Sequence, residues 1–375
     1  MTFLLLLLEK LIPSFEPPVA TTSIRKILVI DLNFLGDMVM ASPVYRALKE
    51  HISGAQIEVL GLNVAAPALM ANPFIDRLHL INRAGVFTLL QTAQTLRGKE
   101  FDLVLQLNTS LKTNVLMWMI GKRLRLGYNF AHRGCFNNVR IPLATRTTRV
   151  GNRIDECVAL LEKAFGWSVV DRSTIFSVPA AAEEGMRRVL SGEGINRDSL
   201  LIGMHTNCRQ GHKQRRWSSE KFVEMANRLI EGYNATILLT GGSEDRGYTE
   251  AIARAIDAPA QVRNFAGKLS LLEFAALLRR LTVFVTINTG PMHIAIALRT
   301  PTVAILGGTP PSVVFPANDP RYHCIADPAL DQWNPAELYP SYSPLIQTIE
   351  VNQVVERVEF LLSSMKARAA EVGPS

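Results

Sequence analysis

The chain is poor in cysteine, in charge and in long apolar runs, and each shortage narrows what it can be. Four cysteines occur in 375 residues: Cys135, Cys157, Cys208 and Cys324. They are too scattered for a zinc spacing or a disulfide framework, and such usage fits a reducing cytoplasm. No Asp-x-Asp pair is present, so that seat for a metal is missing. Zinc-finger spacing is absent, as is an aromatic-and-basic RNA-binding signature, which argues against nucleic acid as a partner. The apolar run Leu4 to Leu8 is far too short to span a bilayer. It has no basic leader before it and no small-residue cleavage site after it, so it does not read as a signal peptide. No short tandem repeat is evident.

What is present is a globular composition, with 48% hydrophobic and 19% charged residues, long enough for two domains with full cores. The formal net charge is +7 and the isoelectric point about 9.3. That balance favours anionic partners such as nucleotides, phosphorylated glycans or anionic lipid surfaces, although many of the scattered bases are simply solvated. Near the N-terminus, Leu11, Ile12 and Phe15 extend the apolar character before Pro13, Pro17 and Pro18 break it. Two fates fit this segment equally: a helix docked on the protein's own surface, or a peripheral foot on a membrane.

Strand-like and helix-like segments alternate twice over, the pattern of parallel α/β sheets. The first series has strands at Lys26–Leu32, Ile57–Leu62, Leu78–Ile81 and Phe101–Leu107. The second has Leu200–His205, Ala235–Thr240, Val262–Ala266, Val283–Ile287 and Val303–Leu306. The expected organisation is an extension over 1–24, a Rossmann-like domain over 25–178 and a second over 179–345. A last helix within 346–375 is expected to cross back to the first domain. Two doubly wound domains of this kind would face a ligand cleft at the carboxyl ends of their strands.

Two corners carry chemistry. Thr289-Gly290-Pro291-Met292-His293 joins a buried strand to an Ala-rich helix. Gly290 suits an unusual backbone, and Pro291 suits the first helical position. The free N–H groups and the helix dipole make a seat for an anion, often phosphate. The ordinary reading is a plain strand–turn–helix corner, and His293 serves equally as a satisfied core histidine. In the first half, Gly36-Asp37 follows the first strand. Asp37 could act as a general base on an acceptor hydroxyl, or could merely cap the helix.

Taken in order, the segments resemble glycosyltransferase family 9, which includes the ADP-heptose:lipopolysaccharide heptosyltransferases. Lys-Ile-Leu-Val-Ile…Gly-Asp-Met-Val…Ser-Pro-Val opens the match. Arg215-Arg216-Trp217, Thr240-Gly241-Gly242-Ser243-Glu244-Asp245, Gly267-Lys268-Leu269-Ser270, Thr289 to Ala295, and Gly307-Gly308-Thr309 follow. The resemblance implies a GT-B architecture and an inverting, metal-independent sugar transfer from a nucleotide diphosphate donor such as ADP-heptose, with no resident cofactor. It implies a lipid-linked or polysaccharide acceptor of the cell envelope and a cytoplasmic protein at the inner membrane face. It assigns Asp37 as base and Asn207, Cys208, Lys213, Arg215, Thr289, Gly290 and His293 to the donor's phosphate and sugar. Glu244 or Asp245 would meet the ribose, and Lys268 and Leu269 the base. One departure bears on the donor: Asn288 stands where the best-known members carry Asp, keeping an acceptor but losing the charge. The competing readings are a catalytically silent nucleotide- or glycan-binding relative and a GT-B-fold nucleotide-sugar 2-epimerase.

Overall fold

A computed structural model describes residues 2–70, 72–82, 85–143, 152–208, 216–316, 319–332 and 344–372. Lys213 and Arg215 lie outside the described residues. The chain divides into two compact units, Met1–Ser177 and Val178–Ser375.

In the first unit six strands form one parallel sheet: β1 (Lys26–Ile30), β2 (Gln56–Leu62), β3 (Arg77–Ile81), β4 (Leu103–Gln106), β5 (Leu124–Asn129) and β6 (Val139–Pro142). Their order is β3-β2-β1-β4-β5-β6, with Ile27 in register with both Ile57 and Leu103. The strands are apolar on both faces because helices cover both. Ile27 and Val29 pack with Val44, Leu48, Val158 and Leu161, from helices Ser42–His51 and Arg153–Phe165. Leu28 and Ile30 pack on the other side with Leu89, Leu96, Leu116 and Met117, from helices Val86–Arg97 and Leu111–Ile120.

The second unit repeats the plan with β7 (Leu201–His205), β8 (Thr236–Thr240), β9 (Val262–Asn264), β10 (Val283–Ile287), β11 (Thr302–Leu306) and β12 (Tyr322–Ala326). The order is β12-β11-β10-β7-β8-β9, again fully parallel. Counted from its own first strand, each sheet therefore runs 3-2-1-4-5-6, the doubly wound dinucleotide-binding order. The reversal point falls between β1 and β4 in one unit and between β7 and β10 in the other. Ligands of such sheets bind outside the carboxyl ends of those strands.

The boundary falls between Ser177 and Val178, one residue before the expected one, and the helix that follows spans Ala180–Gly192. The last helix spans Val351–Val372. Its Val354, Val355, Val358, Leu361 and Leu362 are buried in the second unit's own core with Met225, Leu229, Val283 and Val303. The boundary expected at 345/346 thus lies inside one compact unit, because the helix's apolar stripe is used on the second sheet.

Candidate active site

In the first unit the chain leaves β1 at Asp31 and enters a short helix, Leu35–Met40. Phe34 occupies the N-cap and makes no side-chain cap bond, while Asp37 is the third helical residue. Asp37 is therefore not the cap that a Gly-Asp pair suggested. It sits half-buried in the first turn, where the helix dipole favours a carboxylate. Gly36 and Gly290 likewise lie in the first turns of helices, and neither is among the glycines with left-handed backbone.

Behind Asp37 lies a buried polar cluster that the sequence reading missed. Asp31 is fully buried, accepts a 2.6 Å hydrogen bond from Asn33 Nδ2, and keeps its Oδ2 without a partner. Burial pushes its carboxyl up to about 6, with the Arg153 cation opposing and the Asp37 charge adding to the rise. Arg153 pairs with Glu156 at 2.6 Å and donates to the Leu107 carbonyl just past β4. It thus stands at the reversal point between β1 and β4. Burial works against its charge, yet the carboxylates of Glu156, Asp31 and Asp37 and the Cys157 thiol hold it firmly protonated. The one sequence signal was a charged residue, Asp31, ending an otherwise apolar strand.

In the second unit the expected donor residues that are described lie at the carboxyl ends of β7, β8, β9 and β10. Asn207 follows β7 and is buried; its Nδ2 donates to Asp245 Oδ1, and its Oδ1 accepts from the Cys208 N–H at 2.9 Å. Cys208 is buried in the same core cluster as Trp217. After β8, Asp245 closes the short turn Ser243–Asp245 by accepting from the Gly242 N–H at 2.8 Å. Burial raises its pKa, with the neighbouring Glu244 charge adding. Asp245 is thus committed to tying two loops together, whereas Glu244 stands exposed.

Gly267, after β9, has a φ of +71° and approaches so closely that a Cβ would lie 2.9 Å from the Ser243 Cα. Its N–H donates to the Gly241 carbonyl. These loops enclose a pocket of about 170 Å³ lined by Gly241, Gly242, Phe265, Leu269, Phe274 and Pro291. It is smaller than a site for a whole drug-sized ligand and suits one flat apolar ring system. Leu269 is half-buried in its wall, while Lys268 is exposed.

After β10, Asn288 is half-buried and Thr289 is the N-cap of helix Gly290–Ala297. The helix begins one residue earlier than expected. Thr289 gives it no side-chain cap; its Oγ1 donates to the Ile287 carbonyl. The first N–H groups are left to other partners. His293 is buried, and burial lowers its pKa to about 4, so its ring is neutral at pH 7. Among the described residues no hydrogen bond to that ring is formed, unlike His205, whose Nδ1 lies 3.3 Å from Thr240 Oγ1. Of the basic run, Arg216 is described: its guanidinium stacks over Tyr248 at 4.8 Å.

The known proteins agree with this plan. Lipopolysaccharide heptosyltransferase 3 of Escherichia coli is 27% identical over 294 residues, 74% of this chain and 82% of that protein. Lipopolysaccharide heptosyltransferase 2 of Salmonella typhimurium is 27% identical over 317 residues, 78% and 85% of the two chains. Among solved structures, a glycosyltransferase family 9 protein from Veillonella parvula superposes with a TM-score of 0.77 at 21% identity, covering 90% of this chain and 98% of that one. The E. coli ADP-heptose lipopolysaccharide heptosyltransferase II gives 0.74 at 22% identity, covering 91% and 99%. These likenesses show the two-domain α/β fold of the GT-B type. Residues 89–332, well over half of the chain, match the family model for glycosyltransferase family 9 (heptosyltransferase), and the protein belongs to that family of glycosyltransferases.

Proposed function

We propose that the protein transfers a heptose, with inversion, from ADP-heptose to a lipid-linked glycan of the cell envelope such as lipopolysaccharide core. The observation that carries this reading is the nucleotide-shaped corner of the second unit. A small apolar pocket lies beside an exposed carboxylate, Glu244, and a helix whose N-cap, Thr289, gives its start no side-chain cap. In this reading the adenine packs on Leu269 and Phe274, and Glu244 accepts from the ribose hydroxyls. The diphosphate lies at the Thr289–Gly290 amides. Lys213 and Arg215 add positive charge in place of a metal. Lys268 contributes its stem, and Asn207 holds the loop in shape. Neutral His293 and Asn288 face the sugar.

The chemistry is a single displacement. The acceptor oxygen attacks the anomeric carbon, and the bond from that carbon to the diphosphate oxygen breaks. ADP leaves with the electron pair, and Asp37 takes the hydroxyl proton. Charge on the leaving group is met by N–H dipoles and cations already in place. This assigns the protein to the cytoplasmic face of the inner membrane, where nucleotide sugar and lipid-linked acceptor meet.

Support comes from the relatives. One bears the name ADP-heptose heptosyltransferase II, and another, E. coli heptosyltransferase WaaC, was solved with ADP-2-deoxy-2-fluoro heptose. Asn288 favours one second reading, a silent nucleotide binder. A thermal-shift series with ADP, GDP and UDP tests the donor, since a ligand of the native state raises its melting temperature. ADP should give the largest rise; a larger rise with UDP or GDP would contradict the adenine assignment.

A further inference from the structure

We propose that the N-terminal helix Thr2–Leu11, with the exposed basic residues Lys10, Lys112 and Arg133, is a docking face for an anionic lipid bilayer. The helix is mounted with its polar side inward. Glu9, its one acidic residue, accepts hydrogen bonds from Asn129 Nδ2 at 3.0 Å and pairs with His132 Nδ1 at 2.9 Å. Leu5 is buried beneath. Phe3 is 80% exposed, Leu4 59%, Leu7 49% and Leu11 70%. Positions 3, 4, 7 and 11 share one side of a helix, so a continuous apolar stripe faces outward. A helix serving only its own core shows the reverse arrangement. The mounting is fixed at its far end as well: Arg140 donates to the Ile12 carbonyl at 2.9 Å, and the Phe15 N–H to the Asn138 carbonyl at 2.7 Å.

Charge identifies the occupant. Between Asp102 and Asp155 the sequence holds no acidic residue and nine basic ones. Of these, Lys112 and Arg133 are exposed, as is Lys10 on the helix itself. Trp118 is half-exposed and packs on Phe136 at 5.3 Å between ring centroids, next to the loop that holds Glu9. An amphipathic aromatic beside cations and leucines suits a headgroup boundary. A second copy of this face would set like charge against like, which disfavours a homodimer. Ten residues make a helix about 15 Å long, enough to lie in the interface but not to cross it. No described helix is long and apolar enough to span a membrane.

The placement also serves transfer, and this consequence alone rests on the proposed function. Asn129 ends β5, and Asp37 follows the end of β1, two strands away in a parallel sheet. The strand end that holds the foot and the strand end that leads to Asp37 are therefore at the same edge of the sheet, about 10 Å apart.

The test is co-sedimentation of the full chain with phosphatidylcholine vesicles, with and without phosphatidylglycerol. The wild type should bind the anionic vesicles, less so as salt rises. Leu4→Glu/Leu7→Glu/Leu11→Glu should weaken binding roughly tenfold or more, with an unchanged melting temperature. Lys112→Glu/Arg133→Glu should remove the preference for phosphatidylglycerol. Equal sedimentation of wild type and the triple variant would overturn the proposal. So would a wild type that ignores vesicles but dimerises through the leucine face in analytical ultracentrifugation. The thermal shift with ADP should be the same in the triple variant, so failure here leaves the donor reading standing.

Discussion

At the scale of single residues, neighbours of like chemistry have been given different tasks by their surroundings. Glu244 and Asp245 are adjacent carboxylates, and sequence alone could not choose between them. Asp245 is buried and already accepts from Asn207 and Gly242, while Glu244 is exposed. Glu244→Ala should therefore weaken ADP binding several-fold by calorimetry, at unchanged melting temperature. Asp245→Ala leaves the buried Asn207 amide without its acceptor, and the Gly242 N–H with it, and should cost about 1–3 kcal/mol of stability, read by denaturant unfolding. Asp31 gives a pH-dependent case. Its carboxyl is raised to about 6 by burial, with Arg153 opposing the rise. An unfolded Asp titrates near ~4, so the native state holds the proton longer than the unfolded chain does. Stability is then lost as pH climbs from about 4 to about 6, by on the order of 2 kcal/mol. Asp31→Asn should become more stable relative to wild type across that window, as measured by melting at successive pH values; a constant difference would contradict it. Beyond a charge at the end of an apolar strand, none of this could be read from the sequence, because the cation beside Asp31, Arg153, arrives from a helix over a hundred residues later.

At the scale of elements, the parts with a strong local pattern were legible. β10 has the bounds that the sequence suggested, and helix Arg153–Phe165 follows its local signals. Asn152 caps that helix by accepting from the Ile154 and Asp155 N–H groups. The sequence reading did not find β5, β6, β12 or helix Leu111–Ile120. β5 carries Arg125 and Gly127 within its run, a poor apolar signature. Its glycine is needed because a Cβ would lie 2.9 Å from Asn137 Nδ2, and Arg125 is satisfied by the Phe136 and Gly121 carbonyls. Such strands are set by tertiary partners, which a local pattern does not display. The Asp37 and Gly290 corners were legible as strand-to-helix junctions, but not to the residue, since helix starts depend on which N–H groups find acceptors. Gly307, after β11, illustrates close approach: a Cβ there would lie 2.2 Å from the Ile346 Cβ. Gly307→Ala should cost about 1–3 kcal/mol, and combined with Ile346→Gly, which removes the opposing Cβ, it should cost less than the sum of the two single changes, because the clash is between those two Cβ positions. Thermal unfolding of the two single variants and the double variant checks the coupling.

At the scale of the whole molecule, two sheets with the same strand order have been given unlike ends. The first unit places buried charge and an acidic helix turn where its order reverses. The second places glycine loops, a small apolar pocket and an uncapped helix there. This division matches a transfer reaction with an acceptor side and a donor side, and the family membership of the chain agrees with it. The central claim is that Asp37 is the base. Phe34, not Asp37, is the N-cap, and replacing Asp37 by Asn removes the basic carboxylate while keeping an oxygen acceptor and the side chain's shape. The decisive measurement is the transfer rate of Asp37→Asn at saturating ADP-heptose, beside its ADP affinity and melting temperature. The rate should fall by about two to four orders of magnitude while affinity and melting stay near wild type. A folded Asp37→Asn protein that transfers at the wild-type rate would contradict the account.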